Sequence, residues 1–135
     1  MKFGENLKIA RENARMTQKD LATATGIHYR TIQNYESGTR RPKNYEVIEK
    51  IALALNIPAN ALVNSGDELV LQAQQKDGAK AAKDVDELVS EISALFAGGT
   101  IDEEAKEGVM AAINRAYWDA KEANKKYTPK KYRKG

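Results

Sequence analysis

The stretch Gln18–Ser37, QKDLATATGIHYRTIQNYES, constrains the fold more than any other part of the chain. Leu21 and Ala22 are followed by Gly26 and Ile27, then by Ile32 and Tyr35. That order of sizes suits two short helices that cross over a shared core and are joined by a tight turn. Thr17, Gln18, Lys19 and Asp20 have the pattern of a capping box, in which side chains satisfy the free N–H groups at a helix start. Gly26 closes that helix, because glycine enters a left-handed turn without a steric penalty. A second helix is predicted over about residues 28–36, ended by Ser37-Gly38.

The flanking sequence supplies the rest of a small core. Residues 5–14 read as a helix with Leu7, Ala10 and Ala14 at helical spacing. Asn44 caps a helix over 45–55 whose apolar stripe is Val47, Ile48, Ile51, Ala52 and Leu55. Ile57-Pro58 breaks it, and a fifth short helix runs to about Val63. Five helices of this kind can share one core of roughly sixty residues, near the lower limit for an independent fold. Residues 65–83 have few large apolar side chains and two glycines, and are expected to be a partly helical linker. Beyond them, Val85, Leu88, Val89, Ile92, Leu95 and Phe96 mark an amphipathic helix that stops at Gly98-Gly99. Thr100-Ile-Asp-Glu103 is a second capping-box pattern, opening a helix to about Asn124 with Val109, Ile113, Ala116, Tyr117 and Ala120 inward. The expected organisation is all-α: a compact domain over 1–64 with its motif at 18–37, a linker over 65–83, a helical hairpin over 84–124, and a basic flexible tail over 125–135.

Composition narrows the chemistry. The 135 residues include no cysteine and one histidine, which removes disulfides and thiolate metal sites and argues against a zinc enzyme. No catalytic residue, cofactor or metal is expected. The N-terminus is charged throughout, and no apolar run approaches the roughly 20 residues that span a bilayer, so a cytoplasmic protein without a membrane partner is expected. The net charge of +3 conceals three zones. Residues 1–66 carry ten Lys/Arg against six acids, residues 67–122 six against thirteen, and residues 123–135 six against none. An acidic middle is ill suited to a phosphate backbone, whereas either basic end can lie against one.

The stretch MTQKDLATATGIHYRTIQNYESGTRRP resembles the helix-turn-helix of Cro and the lambdoid repressors, the XRE family of transcriptional regulators. The matching residues are Thr17-Gln18, Leu21-Ala22, Gly26-Ile27, Ile32, Tyr35-Glu36, Gly38 and Arg41-Pro42. The likeness spans about residues 5–63 and implies a five-helix, lambda-repressor-like DNA-binding domain. It also implies that Arg11 of the first helix pairs with Glu36 at the end of the third, a structural ion pair that fixes how the reading helix is presented. The C-terminal part, with Ala97-Gly98-Gly99 and Ala116-Tyr117-Trp118, is more loosely similar to the appendages of regulators in Gram-positive prophages and mobile elements. Two residues depart from the pattern. His28 stands where the family often has a Ser or Thr cap, and Ala10 replaces a larger apolar residue.

At about 100° per residue, Ile32 and Tyr35 point one way along the third helix, and Arg30, Gln33, Asn34 and Ser37 the other. Arg30 can donate two hydrogen bonds to guanine O6/N7, and Asn34 can bracket adenine N6/N7. Tyr29, at the start of the helix, can meet a thymine methyl, a base edge or a phosphate, with Gln33 next in rank as a base reader. Gln18 is placed on a phosphate by the positive end of the second helix, and His28 acts as a cap or a phosphate contact. Thr39, Arg40, Arg41 and Lys43 follow the reading helix and are expected along the DNA backbone, positioning the domain without specifying sequence. Tyr117 and Trp118 serve either as an aromatic platform or, the reading preferred here, as packing in a hairpin or dimer interface.

These readings converge on a sequence-specific regulator of transcription, most simply a repressor that binds double-stranded DNA as a homodimer on a near-palindromic site. The alternative is an antitoxin, or a regulator whose C-terminal hairpin is bound by a protein antagonist. Lambdoid repressors often carry a self-cleaving domain, and Ala97-Gly98 resembles the bond such domains cut. The roughly 35 residues that follow are too few and too helical for that β-rich unit.

Overall fold

The computed structural model describes residues 3–127, with side chains to Asn124, so the basic tail expected over 125–135 lies outside the described side chains. Among the described residues every regular element is helical: α1 (Phe3–Asn13), α2 (Gln18–Thr25), α3 (Tyr29–Ser37), α4 (Tyr45–Leu55), a 3-10 turn (Ala59–Ala61), α5 (Ser65–Asp77), α6 (Ala79–Leu95) and α7 (Glu103–Tyr127). The fold is all-α, with a lambda-repressor-like N-terminal domain.

The first core gathers Leu7, Leu21, Ile32, Ile48, Ile51 and Leu62, all without solvent exposure, together with Phe3, Tyr35 and Leu55. Each α-helix from α1 to α4 contributes one apolar face, as their spacing requires. The α4 cap is Asn44, whose Oδ1 accepts the Val47 N–H at 3.2 Å. Asn56, in the left-handed region at φ 55°, turns the chain out of α4. The short element before Val63 is a single 3-10 turn over Ala59–Ala61.

The stretch 65–83 differs from its expectation as a linker: it forms α5 and the first turn of α6. Asn64 caps α5 by accepting the Asp67 N–H at 2.8 Å. Leu69 and Ala73 are fully buried in a second core with Val85, while Leu71 packs against the first. A helix covered on two sides shows no single apolar stripe, which is why its sequence looks weak. Gly78, at φ 93°, folds α6 back along α5.

The expected 84–124 hairpin is also reorganised, because α6 and α7 both use α5 as their support. Hydrogen bonds run in register from Ser65 to Glu107 and from Gln72 to Trp118, and Asp77 pairs with Lys121 at 3.1 Å, so α7 lies parallel to α5. The inward face of α7 is Met110, Ile113, Asn114, Tyr117 and Trp118; Val109 is 38% exposed, and Ala116 and Ala120 are exposed. Polar contacts set this rotation. Glu107 Oε1 accepts from the Ser65 N–H at 2.9 Å and from its hydroxyl at 2.6 Å, and the Asn114 amide donates to the Ser65 carbonyl at 3.2 Å. The cap of α7 is Asp102, accepting the Ala105 N–H at 2.8 Å, rather than Thr100. Trp118 packs in the second core and donates its indole N–H to Gln72 Oε1 at 2.9 Å, the structural role preferred above.

Candidate nucleic-acid interface

The start of α2 is fixed by reciprocal bonds. Thr17 Oγ1 accepts the Asp20 N–H at 3.0 Å, and Asp20 Oδ2 accepts the Thr17 N–H at 2.9 Å. The Thr17 backbone N–H and, second, the Thr17 hydroxyl hold the Asp20 carboxyl below its usual range. At the other end, Gly26 adopts φ 74° and its N–H closes on the Ala22 carbonyl at 2.8 Å. Thr25 Oγ1 donates to the Leu21 carbonyl at 2.8 Å and accepts the Ile27 N–H at 3.1 Å. The corner between α2 and α3 is therefore covered by local hydrogen bonds, and α3 leaves it at a defined angle.

His28 caps α3: its Nδ1 accepts the Arg30 N–H at 3.1 Å. Since Nδ1 accepts, the geometry assigns the ring proton to Nε2, which is left to donate elsewhere. Ile32 and Tyr35 are buried on the inner face, and the Tyr35 ring meets Phe3 edge-on at 5.7 Å. Burial pushes the Tyr35 hydroxyl up, and the charge of Arg40 partly offsets it.

Two contacts fix the back of α3. Arg11 and Glu36 form a two-bond ion pair, Nε to Oε2 at 2.7 Å and the second terminal nitrogen to Oε1 at 2.9 Å. Arg11 also donates to the Met16 carbonyl at 2.8 Å. Its guanidinium is held above its ordinary value, chiefly by the hydrogen bond to Glu36. The second contact is Gly4, a residue the sequence reading passed over. A Cβ there would stand 2.5 Å from the Tyr35 carbonyl oxygen and 2.8 Å from that of Glu36. Only glycine lets α1 press so closely on the backbone of α3, and no local pattern announces that need.

The outward face carries the residues expected to read bases. Tyr29 and Arg30 are exposed, and Gln33 and Asn34 are half-buried. The Gln33 amide donates to the Tyr29 hydroxyl at 3.1 Å, so these two side chains form a linked pair. Lys19, which the sequence reading also passed over, places its ammonium 5.8 Å from the centre of the Tyr29 ring. The α2–α3 crossing that puts Gln18 near α3 brings Lys19 beside it. Gln18 is drawn toward the ion pair, its amide donating to Glu36 Oε1 at 3.2 Å, and one N–H remains for another acceptor.

Thr39, Arg40, Arg41 and Lys43 are all exposed in the loop after α3. The loop begins in order: Ser37 Oγ donates to the Asn34 carbonyl at 3.1 Å, and the Arg40 N–H reaches the same carbonyl at 3.2 Å. Arg41 stands apart from the others, lining a small recess of about 150 Å³ with Asp67 and Asp86 of the C-terminal helices.

Two short helices with a glycine corner, a polar outward face on the second and a cationic loop after it define a helix-turn-helix DNA-binding protein. Comparison with known proteins agrees. The family model described as Helix-turn-helix matches residues 7–62. The immunity repressor protein of Bacillus phage phi105 is 30% identical over 142 residues, covering 98% of this chain and 96% of that one. The HTH-type transcriptional repressor RghR of Bacillus subtilis strain 168 is 38% identical over 61 residues, 45% of each chain. No solved structure matches. The chain belongs to the XRE-type helix-turn-helix family of transcriptional regulators. Among the described residues, no helix is long and apolar enough to cross a membrane.

Proposed function

We propose that the protein is a sequence-specific transcriptional repressor that binds a near-palindromic operator as a homodimer, with α3 in the major groove. The observation that carries this reading is the unspent outer face of α3. Among the described residues, neither the Arg30 guanidinium nor the Asn34 side-chain amide is engaged in a hydrogen bond or ion pair, although both sit on a helix fixed from behind by Arg11–Glu36 and Gly4. Donors held rigidly and left unpaired suit base edges, which repay them only in the correct sequence. Tyr29 and Gln33 act beside them as a linked pair. Gln18, His28, Thr39, Arg40, Arg41 and Lys43 contact the backbone and set the register. The names of the two curated relatives support repression as the outcome.

One such domain reads half a site. Two copies related by a twofold axis present their reading helices one DNA turn apart, about 34 Å. The C-terminal helices supply the surface for pairing: Leu95 is 81% exposed, Leu88 41% and Val109 38%. The acids Asp84, Glu87 and Glu91 beside the two leucines give the second reading, capture by a basic protein antagonist, its own support.

Selection of bound sequences from a random DNA pool tests the proposal. Two inverted half-sites with centres one turn apart are expected, and Asn34→Ala should relax preference at one position in each. Equal loss of affinity by Asn34→Ala on selected and on random DNA removes the base-reading role. A stable 1:1 complex with another protein, lost without residues 67–135, favours the antagonist reading.

A further inference from the structure

Arg41 differs from the other cations of its loop in what stands opposite it. With Pro42 it lines the recess of about 150 Å³ whose other charged residues are Asp67, in the first turn of α5, and Asp86 of α6. Phe3, Val70 and Leu71 also line it. Apolar surface of this kind suits the aliphatic stem of an arginine while its charged head stays in water. Among the described residues, no hydrogen bond or ion pair engages the Arg41 guanidinium or either carboxylate. On its other side Arg41 borders Glu5 and Glu36, but Glu36 is occupied by Arg11, and Arg40 stands there as a second cation. The unbalanced negative charge beside Arg41 therefore comes from the C-terminal helices, as two carboxylates facing one cation across the recess.

A DNA phosphate and these two carboxylates are rivals for the same guanidinium. Pro42 restricts the Arg41 backbone to extended conformations, so the choice between the rivals falls to the side chain. We infer that Asp67 and Asp86 are positioning residues that compete with DNA for Arg41. This inference rests on the phosphate contact proposed above for Arg41. Through that competition the C-terminal helices weaken the grip on every sequence alike, since a phosphate contact carries no base information. When Arg41 moves to a phosphate, the carboxylates are returned to solvent cations. That uptake offsets part of the cation release that drives binding. Residues 67–122 hold thirteen acids against six bases, and at this recess the imbalance acts on one named side chain rather than as diffuse repulsion.

Fluorescence anisotropy of the full-length chain on selected and on random DNA tests the inference. Asp67→Asn/Asp86→Asn should bind both DNAs about fivefold more tightly at low salt, with a salt slope steeper by up to about one. Asp86→Asn alone, on the exposed face of α6, leaves the start of α5 intact and should gain about twofold. Adding Arg41→Ala to the double variant should remove the gain. The control is Glu87→Gln/Glu91→Gln, an equal change of charge on α6 outside the recess, which should gain less than the double variant at every salt concentration. No gain from either recess variant, a gain that survives Arg41→Ala, or an equal gain from the control overturns the proposal. An affinity that falls with Arg41→Ala but ignores the two acids overturns the competition alone. Arg41→Ala without effect in either background overturns the phosphate contact as well.

Discussion

Removing Glu36 should cost the protein more than removing both members of its ion pair. The Arg11 and Glu36 side chains are only 12% and 6% exposed. In Glu36→Leu, Arg11 loses two charge-assisted bonds and keeps only the Met16 carbonyl, while the Gln18 amide loses its acceptor as well. Stranding one partner of a buried pair typically costs 3–5 kcal/mol. Arg11 retains some access to water, so the lower end, about 3 kcal/mol, applies here. At a urea dependence of about 1.5 kcal/mol per molar, the unfolding midpoint should fall by about 2 M. Arg11→Met/Glu36→Leu removes both charges and fills much of the same space, and should lose only about 1 kcal/mol. Urea unfolding followed by far-ultraviolet circular dichroism measures all four corners of the cycle. A double variant whose loss equals the sum of the two single losses refutes the reasoning, since it would mean that neither charge depends on the other.

Gly4→Ala should destabilise by about 2–3 kcal/mol, because the added methyl meets the backbone of α3 rather than a side chain that can move. Gly108→Ala, on an open helical surface, should instead stabilise by about 0.5–1 kcal/mol; thermal unfolding compares the two. The Glu68 carboxyl is raised from its ordinary 4.5 by burial and, second, by Glu107. A raised carboxyl favours the folded state fully below the unfolded value and loses that contribution as pH rises through the folded value. Glu68→Gln keeps the neutral form at every pH, so it should be more stable than the parent at neutral pH and converge with it below 4.5; a pH series of urea midpoints checks the crossover. Arg40→Ala should weaken binding to all DNA sequences and lower the salt slope by about one, read by fluorescence anisotropy across salt concentrations.

What could be read from the sequence followed the range of the interactions involved. The α2–α3 corner rests on Thr17, Asp20, Gly26 and His28, all contacting neighbours within a few residues, and their spacing is visible in the chain. The same holds for α4, with Asn44 before it and an apolar stripe along it. The stretch 65–83 reads as only partly helical because Leu69 and Ala73 of α5 serve one core and Leu71 another, which erases the one-sided pattern. The rotation of α7 depends on Ser65, some forty residues earlier, bonding Glu107 and Asn114. Gly4 escaped for a similar reason: its constraint comes from the backbone of α3, far along the chain. At the candidate interface, outward positions were legible from the helical period, whereas the Tyr29–Gln33 bond and the place of Lys19 depend on rotamers and on the crossing of two helices.

Because α5 is a helix rather than a linker, the two halves of the chain are mechanically joined. A flexible linker of 19 residues would let the C-terminal helices wander by about 24 Å relative to the reading helix, comparable to the separation of neighbouring half-sites. A dimer joined in that way would accept operators of several spacings, each weakly, since its effective concentration is spread over many geometries. Here Leu71 packs on the first core while Leu69 and Ala73 build the second, so the wall between them is shared. The polar contacts of Ser65 with Glu107 and Asn114 lock α7 to the helix that continues directly out of the DNA-binding domain. Any pairing through α6 and α7 therefore sets the distance and angle between two α3 helices through packed side chains. In the proposed homodimer, operator spacing would then be a property of the C-terminal core, and substitutions at Leu69 or Ala73, both buried in that core, would bear on which operators the pair reads.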